Sequence, residues 1–464
     1  MKISWENLPG LKVTIMGLGL HGGGLEAARF FARHGSEVTV TDLRDAKILK
    51  PSIDKLKEFS IRYVLGRHET ADFTNTDLVI KNPAVPWTSH YLEVAQHIET
   101  DISIFLALTK SPILAITGSK GKSTTVSALH SVLRRENPKT KLGGNITVSP
   151  LSFIDETGPD VPVVLELSSW QLGDIRGKGL LNPEVAAITT ILPDHLNRYR
   201  SMAEYIDDKR VIYSEQSPEN ATLCNYDDMY GKEFAQETQG RPFFFSSKPL
   251  PQSLQGAFLT ETGEGFFRDE NGKETKILPE KLMVSGTHMK TNLLTAASTA
   301  FIFGTAPETI MAALSTFSGI EHRHEVFEKY NNTVFINDSA ATIPEATVAA
   351  VKSIEEPVHL ITGGTDKELD FSVFREIVRK PEQIYLLEGS ATHKIVELLD
   401  QYDTSYAGPY NSLRSVCEDV FEKAKPGSVV ILSPGCASFG MFLNEFDRGR
   451  QFKHIIQSLI KNKT

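Results

Sequence analysis

A chain of 464 residues exceeds what one hydrophobic core usually organises, and domain-size priors suggest about three domains. With 49 basic against 58 acidic side chains and 40% hydrophobic residues, the formal charge of −9 gives no reason to expect a nucleic-acid partner. Cys224, Cys417 and Cys436 are too scattered for a zinc site or a disulfide framework and fit a reducing cytoplasm; no apolar run reaches the roughly 18 residues that span a bilayer, and the N-terminus lacks the apolar core of a signal peptide.

In chain order, Lys12-Val13-Thr14-Ile15-Met16 reads as a strand, followed by Gly17-Leu18-Gly19-Leu20-His21-Gly22-Gly23-Gly24 and helical spacing over 25–34. A second strand, Glu37-Val38-Thr39-Val40-Thr41, ends at Asp42, where dinucleotide-binding proteins keep a ribose-binding acid. This Rossmann-like opening admits a nicotinamide-dependent dehydrogenase. A lone G-x-G-x-x-G is nevertheless a weak signal, and the same loop-and-helix physics serves any nucleotide diphosphate. The segment continues through Asp77-Leu78-Val79-Ile80 to a boundary expected near residue 100.

Pro112-Ile113-Leu114-Ala115-Ile116 is short and apolar enough for a buried parallel strand, and helical spacing resumes at Val126. Between them lies Thr117-Gly118-Ser119-Lys120-Gly121-Lys122-Ser123-Thr124-Thr125. Glycines there let backbone N–H groups approach an anion, Lys122 can reach terminal phosphates, and Ser123 or Thr124 can hold magnesium. Only Ser119 and Lys120 separate Gly118 from Gly121, a shortened and more specific form of the general P-loop. Further βα units predict a mainly parallel sheet. Gly143-Gly144-Asn145-Ile146 reads as a tight turn, Glu166 stands near the end of the apolar strand 163–167, and strand 185–190 leads to Asp194-His195. Acids at such strand ends commonly face the nucleotide. Lys209, on a helix over 202–213, reads by itself as a solvated surface lysine. The stretch 248–276 reads as loops and an antiparallel ribbon, and Gly286-Thr287-His288-Met289-Lys290-Thr291-Asn292 opens an alanine-rich helix.

From Glu321-His322-Arg323-His324 a third domain is expected, with strands over 333–337, 358–362, 384–387 and 428–432. Their C-terminal ends carry Asp338-Ser339-Ala340-Ala341-Thr342, Gly363-Gly364-Thr365-Asp366-Lys367, Glu388-Gly389-Ser390 and Ser433-Pro434-Gly435-Cys436-Ala437-Ser438. Ligands of open α/β sheets collect at that edge.

These motifs, in this order, resemble the Mur ligases of peptidoglycan synthesis along essentially the whole chain, most closely the D-glutamate-adding branch. The resemblance implies an α/β protein of three domains: a Rossmann-like N-terminal domain (1–100) for the UDP substrate, a central P-loop ATPase-like parallel sheet (101–319), and a Rossmann-like C-terminal domain (320–464) for the amino acid. It implies ATP and Mg2+ as cofactors, UDP-N-acetylmuramoyl-L-alanine and D-glutamate as small-molecule substrates, and a cytoplasmic monomer without nucleic-acid or membrane partners. Catalysis falls to Lys122, Glu166, His195 and Lys209. Ser123, Thr124 and Glu166 hold one magnesium ion, and His195 binds a second, supported by Lys209 as a carbamate. Gly118, Ser119, Lys120, Gly121, Lys122, Ser123, Thr124, Asn292, His322, Arg323 and Asp338 line the ATP. Leu20, His21, Asp42, Arg44 and Asn145 serve the UDP substrate, and Thr342, Lys367 and Ser438 the incoming amino acid. The chain departs from the pattern at Ala340, Ile343 and Gly440, where polar groups are common, at Met289, and in its His21-Gly22-Gly23-Gly24 loop.

Overall fold

The computed structural model describes residues 2–19, 22–83, 85–146, 148–193, 199–284, 286–366, 369–438 and 440–463. The chain divides into two compact units, one of residues 1–282 with 287–316, the other of residues 283–286 with 317–464.

The first unit holds two sheets. One contains β1 (Lys12–Met16), β2 (Glu37–Asp42), β3 (Ile61–Leu65), β4 (Leu78–Lys81) and β5 (Ile98–Glu99), all parallel, in the order β3-β2-β1-β4-β5. Strand order reverses between β1 and β4, which leaves a crevice at the C-terminal ends of both. The other sheet contains β6 (Ile113–Thr117), β7 (Lys141–Gly144), β8 (Val163–Glu166), β9 (Val185–Ile188), β10 (Ala221–Asn225), β11 (Arg241–Ser246), β12 (Gly256–Leu259), β13 (Gly265–Arg268) and β14 (Glu274–Lys276), in the order β14-β13-β12-β11-β10-β9-β6-β8-β7. Only β12, β13 and β14 meet antiparallel, so the ribbon expected over 248–276 is present. Gly143 and Gly144 close strand β7 rather than forming the turn expected there; the turn begins at Asn145.

Buried β-branched and aliphatic residues make β6, β8 and β9 strands covered on both faces, as parallel sheets require. The helix Asp101–Leu108 is apolar nearly all round, and seven of its eight residues are buried. Its core residues Ile102, Ile104 and Phe105 belong to a hydrophobic cluster that also contains Val13 and Phe31 of the first sheet region and Leu165 and Ile188 of the second. One core therefore runs through both sheets of this unit, which makes their relation a matter of packing and not of linker length.

The second unit holds β15 (Glu325–Tyr330), β16 (Thr333–Asn337), β17 (Val358–Thr362), β18 (Gln383–Leu387), β19 (Tyr406–Tyr410) and β20 (Val429–Leu432), in the order β15-β16-β20-β17-β18-β19. Only β15 and β16 pair antiparallel. Alternate side chains of β17 feed two clusters, Val358 and Leu360 on one face and Ile361 on the other, the doubly wound arrangement of strand periodicity 2.

Candidate active site

Strand β6 runs directly into the phosphate loop, and the helix Lys122–Glu136 leaves from it with Gly121 at its N-cap. Gly118 and Gly121 have φ of +142° and +92°, a region that side chains with a Cβ rarely enter. Space forbids a side chain as well. A Cβ on Gly118 lands 1.9 Å from Thr189 Oγ1, and one on Gly121 lands 2.4 Å from Asn292 Oδ1. Thr189 Oγ1 donates to the carbonyls of Lys120 (2.7 Å) and Thr117 (3.1 Å), pinning the loop to the end of β9. Asn292 comes from the helix Thr287–Phe303, which packs along the phosphate-loop helix. Ser119 Oγ lies 2.8 Å from Tyr205 Oη and donates to Leu192 O at 2.8 Å, while Lys120 is exposed. The half-buried Ser123 and Thr124 occupy the first helical turn, where unpaired N–H groups and the positive end of the helix favour an anion.

Two lysines converge on this loop. Lys122 Nζ donates to the carbonyls of Gly118 and Ser119, each at 3.0 Å, and Lys209 Nζ donates to the same Gly118 carbonyl at 2.8 Å. Lys209 is only 1% exposed, so the surface reading of this residue is overturned. The physical reason lies in its helix, Met202–Arg210, which turns Tyr205, Ile206 and Lys209 inward at helical spacing and places Lys209 Nζ 4.5 Å from the centre of the Tyr205 ring.

Glu166 ends β8, beside Ile116 of β6 and Gly144 of β7 in the parallel register. Its Oε1 accepts from Asn145 Nδ2 at 3.0 Å, and Asn145 N donates to Glu166 O at 2.8 Å. Its Oε2 is buried without a hydrogen-bond partner, a costly state that a cation would relieve. Among the described residues no group of three His, Cys, Asp or Glu forms a ready metal cage. The donor set of Glu166, Ser123 and Thr124 is all oxygen and carries few protein ligands, the pattern of a magnesium ion that keeps waters and substrate phosphates. His195 lies outside the described residues.

A cavity of about 930 Å³ opens at the crevice between β1 and β4 and is lined by Gly17, Gly19, Gly23, Asp42, Arg44 and Asn145, among others. Asp42 is buried, and its carboxylate accepts from Arg44 Nε (3.0 Å), Arg44 Nη2 (2.9 Å), Arg44 N (2.9 Å) and Gly19 N (3.3 Å). Burial pushes its pKa up, but these hydrogen bonds outweigh it and hold the group below the usual carboxylate range. Asp42 is thus spent on shaping the glycine loop and aiming Arg44. Leu20 and His21 lie outside the described residues. Asn145 reaches both places: it lines this cavity and holds Glu166 beside the phosphate loop.

Sequence reading assigned no role to other residues around the cavity. His68, His90, Tyr91, Asp101 and Gln171 also line it. Asp101 is buried, accepts from Ser149 Oγ at 2.8 Å, and has its pKa pushed up by burial. Gln171 stood within a recognised motif; His68 sits in a loop and His90 opens the short helix His90–Glu93, and only the fold reveals their meeting.

In the second unit, Asp338 directly follows β16 and accepts from Ser433 Oγ at 2.6 Å and His324 N at 2.9 Å; burial pushes its pKa up to about 6. His322 and His324 both have positive φ, +66° and +47°, strain of a kind that gathers at functional loops. They flank Arg323, which is exposed. The His322 ring is 2% exposed, with Nδ1 2.8 Å from Asn337 Nδ2, so in this conformation it anchors the loop more than it faces a ligand. Burial lowers its pKa, against the pull of Glu321 and Glu325. Thr342 is half-buried and Ser438 buried on two loops that Arg448 clamps from behind. Fully buried, Arg448 donates to Ser339 Oγ (3.0 Å), Ser339 O (2.9 Å) and Cys436 O (3.2 Å), and burial pushes its pKa down to about 10. Lys367 lies outside the described residues.

A parallel sheet whose inner strand enters a glycine-rich loop and helix N-terminus, beside a buried acid with one unmatched oxygen, defines a P-loop nucleotide-binding protein of the α/β class. Comparison with known proteins narrows this. Residues 116–300 match the Mur ligase middle domain, and residues 11–104 match the Mur ligase MurD-like N-terminal domain. The chain is 39% identical to UDP-N-acetylmuramoylalanine–D-glutamate ligase of Treponema pallidum, over 98% of this chain and 99% of that one. It is 40% identical to the ligase of the same name from a Roseiflexus species, over 97% and 99%. In fold it resembles the UDP-N-acetylmuramate–alanine ligase MurC of Thermotoga maritima, with a TM-score of 0.56 at 18% identity over 97% of this chain and 100% of that one. It also resembles MurF of Acinetobacter baumannii, with a TM-score of 0.56 at 17% identity over 92% of each. The chain belongs to the Mur ligase family.

Proposed function

We infer that this chain is an ATP-dependent ligase that joins D-glutamate to UDP-N-acetylmuramoyl-L-alanine in the synthesis of peptidoglycan precursors. Relatives of that name match it end to end. The observation that carries the mechanism is Asn145, which lines the nucleotide-sized cavity and fixes Glu166 beside the phosphate loop. A substrate seated in that cavity extends its free carboxylate toward the γ-phosphate. The carboxylate oxygen attacks phosphorus, the bond to ADP breaks, and an acyl phosphate results; the amine of glutamate then attacks the carbonyl carbon, and phosphate leaves as the amide forms.

In this reading Lys122 leaves its loop carbonyls to neutralise the transferring phosphoryl group, and the N–H groups at the start of its helix hold the phosphate oxygens. Glu166, Ser123 and Thr124 hold the magnesium ion, with Asn145 fixing the orientation of Glu166. Magnesium supplies charge neutralisation between neighbouring phosphate oxygens when bound. We propose that Lys209 is carbamylated and, with His195, forms the second cation site. A carbamate keeps one N–H on Nζ, enough to preserve the bond to the Gly118 carbonyl, and adds two anionic oxygens at a position already fixed by burial.

Residues 1–100 serve the UDP substrate, 101–319 the nucleotide, and 320–464 the amino acid, with Asn292, His322, Arg323 and Asp338 assigned to ATP and Thr342, Lys367 and Ser438 to the glutamate carboxylates. The enzyme acts in the cytoplasm as a monomer on small molecules; no helix among the described residues is long and apolar enough to cross a membrane. Ala340, Ile343 and Gly440 favour a second reading in which another amino acid, or L-glutamate, is taken. Phosphate release from ATP, measured with UDP-N-acetylmuramoyl-L-alanine and a panel of amino acids, decides between them. Release that requires both the UDP substrate and D-glutamate supports the first reading, whereas release with a different amino acid alone overturns it.

A further inference from the structure

At the seam between the two sheets of the first unit lies a buried ion pair that the reaction does not use. Lys81, the last residue of β4, is 0% exposed, and its Nζ stands 2.9 Å from Oδ2 of Asp174, 3% exposed, on the helix Ser169–Ile175. The same Nζ donates to Val85 O at 3.2 Å and lies 5.1 Å from the centre of the Trp87 ring. Trp87 Nε1 in turn donates to Asp174 Oδ1 at 2.6 Å. Lys81, Asp174 and Trp87 therefore form a triad across the seam, joined by one ion pair and one directional hydrogen bond.

Its position is informative. Asn82, Pro83, Val85 and Pro86, which follow Lys81, form one wall of the large cavity; Gln171, one helical turn before Asp174, forms another. The strand leading into that helix ends in Glu166. An apolar seam would hold the two sheets together as firmly, since a buried ion pair costs about as much in desolvation as it returns in attraction. Apolar contacts are non-directional, however, whereas charged hydrogen bonds fix distance and angle.

We propose that the Lys81–Asp174–Trp87 triad is a positioning device for the UDP-substrate site: it sets the register between the loop after β4 and the helix after Glu166, so that a substrate held by the first is aimed at the phosphate loop beside the second. The proposal rests on reading the cavity as the UDP-substrate site.

The test compares the parent enzyme with Trp87→Phe, Asp174→Asn and the double variant Lys81→Met with Asp174→Leu, measuring melting temperature, the Kd of UDP-N-acetylmuramoyl-L-alanine by calorimetry, and both KM values. Trp87→Phe removes one directional bond and keeps the ring; it raises the UDP-substrate KM about fivefold and leaves the ATP KM within twofold. Asp174→Asn strands a buried ammonium and lowers the melting temperature by about 10 °C. The double variant restores the melting temperature but keeps the raised UDP-substrate KM. If the double variant restores both, the triad is only structural and the inference fails. If ATP and UDP-substrate KM rise together in Trp87→Phe, it fails as well. A parent enzyme that does not bind the UDP substrate sinks the reading of the cavity and this inference with it, whereas a parent that binds, with variants that bind equally, sinks the inference alone.

Discussion

Replacing Gly118 by alanine tests whether the geometry of the phosphate loop, and not merely its composition, carries the reaction. At φ +142° a residue with a Cβ is strained by about 1–3 kcal/mol. The new methyl also lands 1.9 Å from Thr189 Oγ1 and 3.2 Å from Thr189 N, so Thr189 must turn away and surrender its bonds to Lys120 O and Thr117 O. Losing one such bond costs about 1 kcal/mol. Together these displace the Gly118 carbonyl, on which Lys122 and Lys209 both converge, by a free-energy cost of about 2–4 kcal/mol. Turnover and ATP affinity should fall together by about 30-fold to several hundred-fold. The assay is ATP-dependent phosphate release, with ATP binding followed separately and UDP-substrate binding as the internal control, since the cavity lies outside this loop. Adding Thr189→Ala relieves the collision with the hydroxyl but restores neither the lost bond nor the backbone geometry, and should recover little of the loss. A Gly118→Ala enzyme that turns over within threefold of the parent refutes the reasoning, because it would mean that the loop carbonyl is free to move without consequence.

Lys209→Ala should be nearly inactive yet folded, and partly recovered by a small added carboxylate that fills the vacated anion position; intact-mass or carbon-13 measurement showing an unmodified Lys209 in the fully active enzyme counts against carbamylation. Asp338 provides a pH test. Its folded pKa of about 6 lies above the ordinary 3.8, so it favours the folded unit fully below about pH 4 and loses that contribution as pH rises through 6. Asp338→Asn should accordingly raise the melting temperature of the C-terminal unit at pH 7.5 and not at pH 4, while lowering turnover; equal shifts at both pH values refute the linkage. Lys367→Ala should raise the glutamate KM about tenfold with little change in ATP affinity, as removing one charged hydrogen bond of roughly 1.5–3 kcal/mol requires. Preference for a neutral or basic amino acid would falsify that pocket assignment.

What was legible in the sequence was local. Strands such as Lys12–Met16 and Ile113–Thr117 are short, mostly apolar runs followed by glycine, and the phosphate loop is a contiguous motif, so both could be read without knowing what lay beside them. The short edge strand Ile98–Glu99 and the strand Tyr406–Tyr410, with its Gly408 and Pro409, carry no comparable pattern and form because a neighbour is already in place. Lys209 shows the same limit from the other side. Its burial depends on the carbonyl of Gly118, 91 positions away, and no window along the helix could reveal it. Lys81 with Asp174, and Arg448 with Ser339, are likewise long-range pairs that no local window could join.

If the cavity takes the UDP substrate and Glu166 the magnesium ion, as proposed above, then Asn145, which faces the cavity and fixes Glu166, would tie occupancy of the two sites through a coupling free energy. Such coupling is reciprocal: whatever factor a ligand in the cavity adds to the affinity for magnesium-bound ATP, the nucleotide must return to that ligand unchanged. The amide is also difficult to replace. An aspartate there sets one carboxylate against another at the same 3.0 Å contact, and an alanine leaves Glu166 Oε1 as bare as Oε2 already is. The enzyme thus cannot tune its taste for one substrate at this position without altering its hold on the other, and a compound that competes for the Asn145 side chain from within the cavity loosens both grips at once.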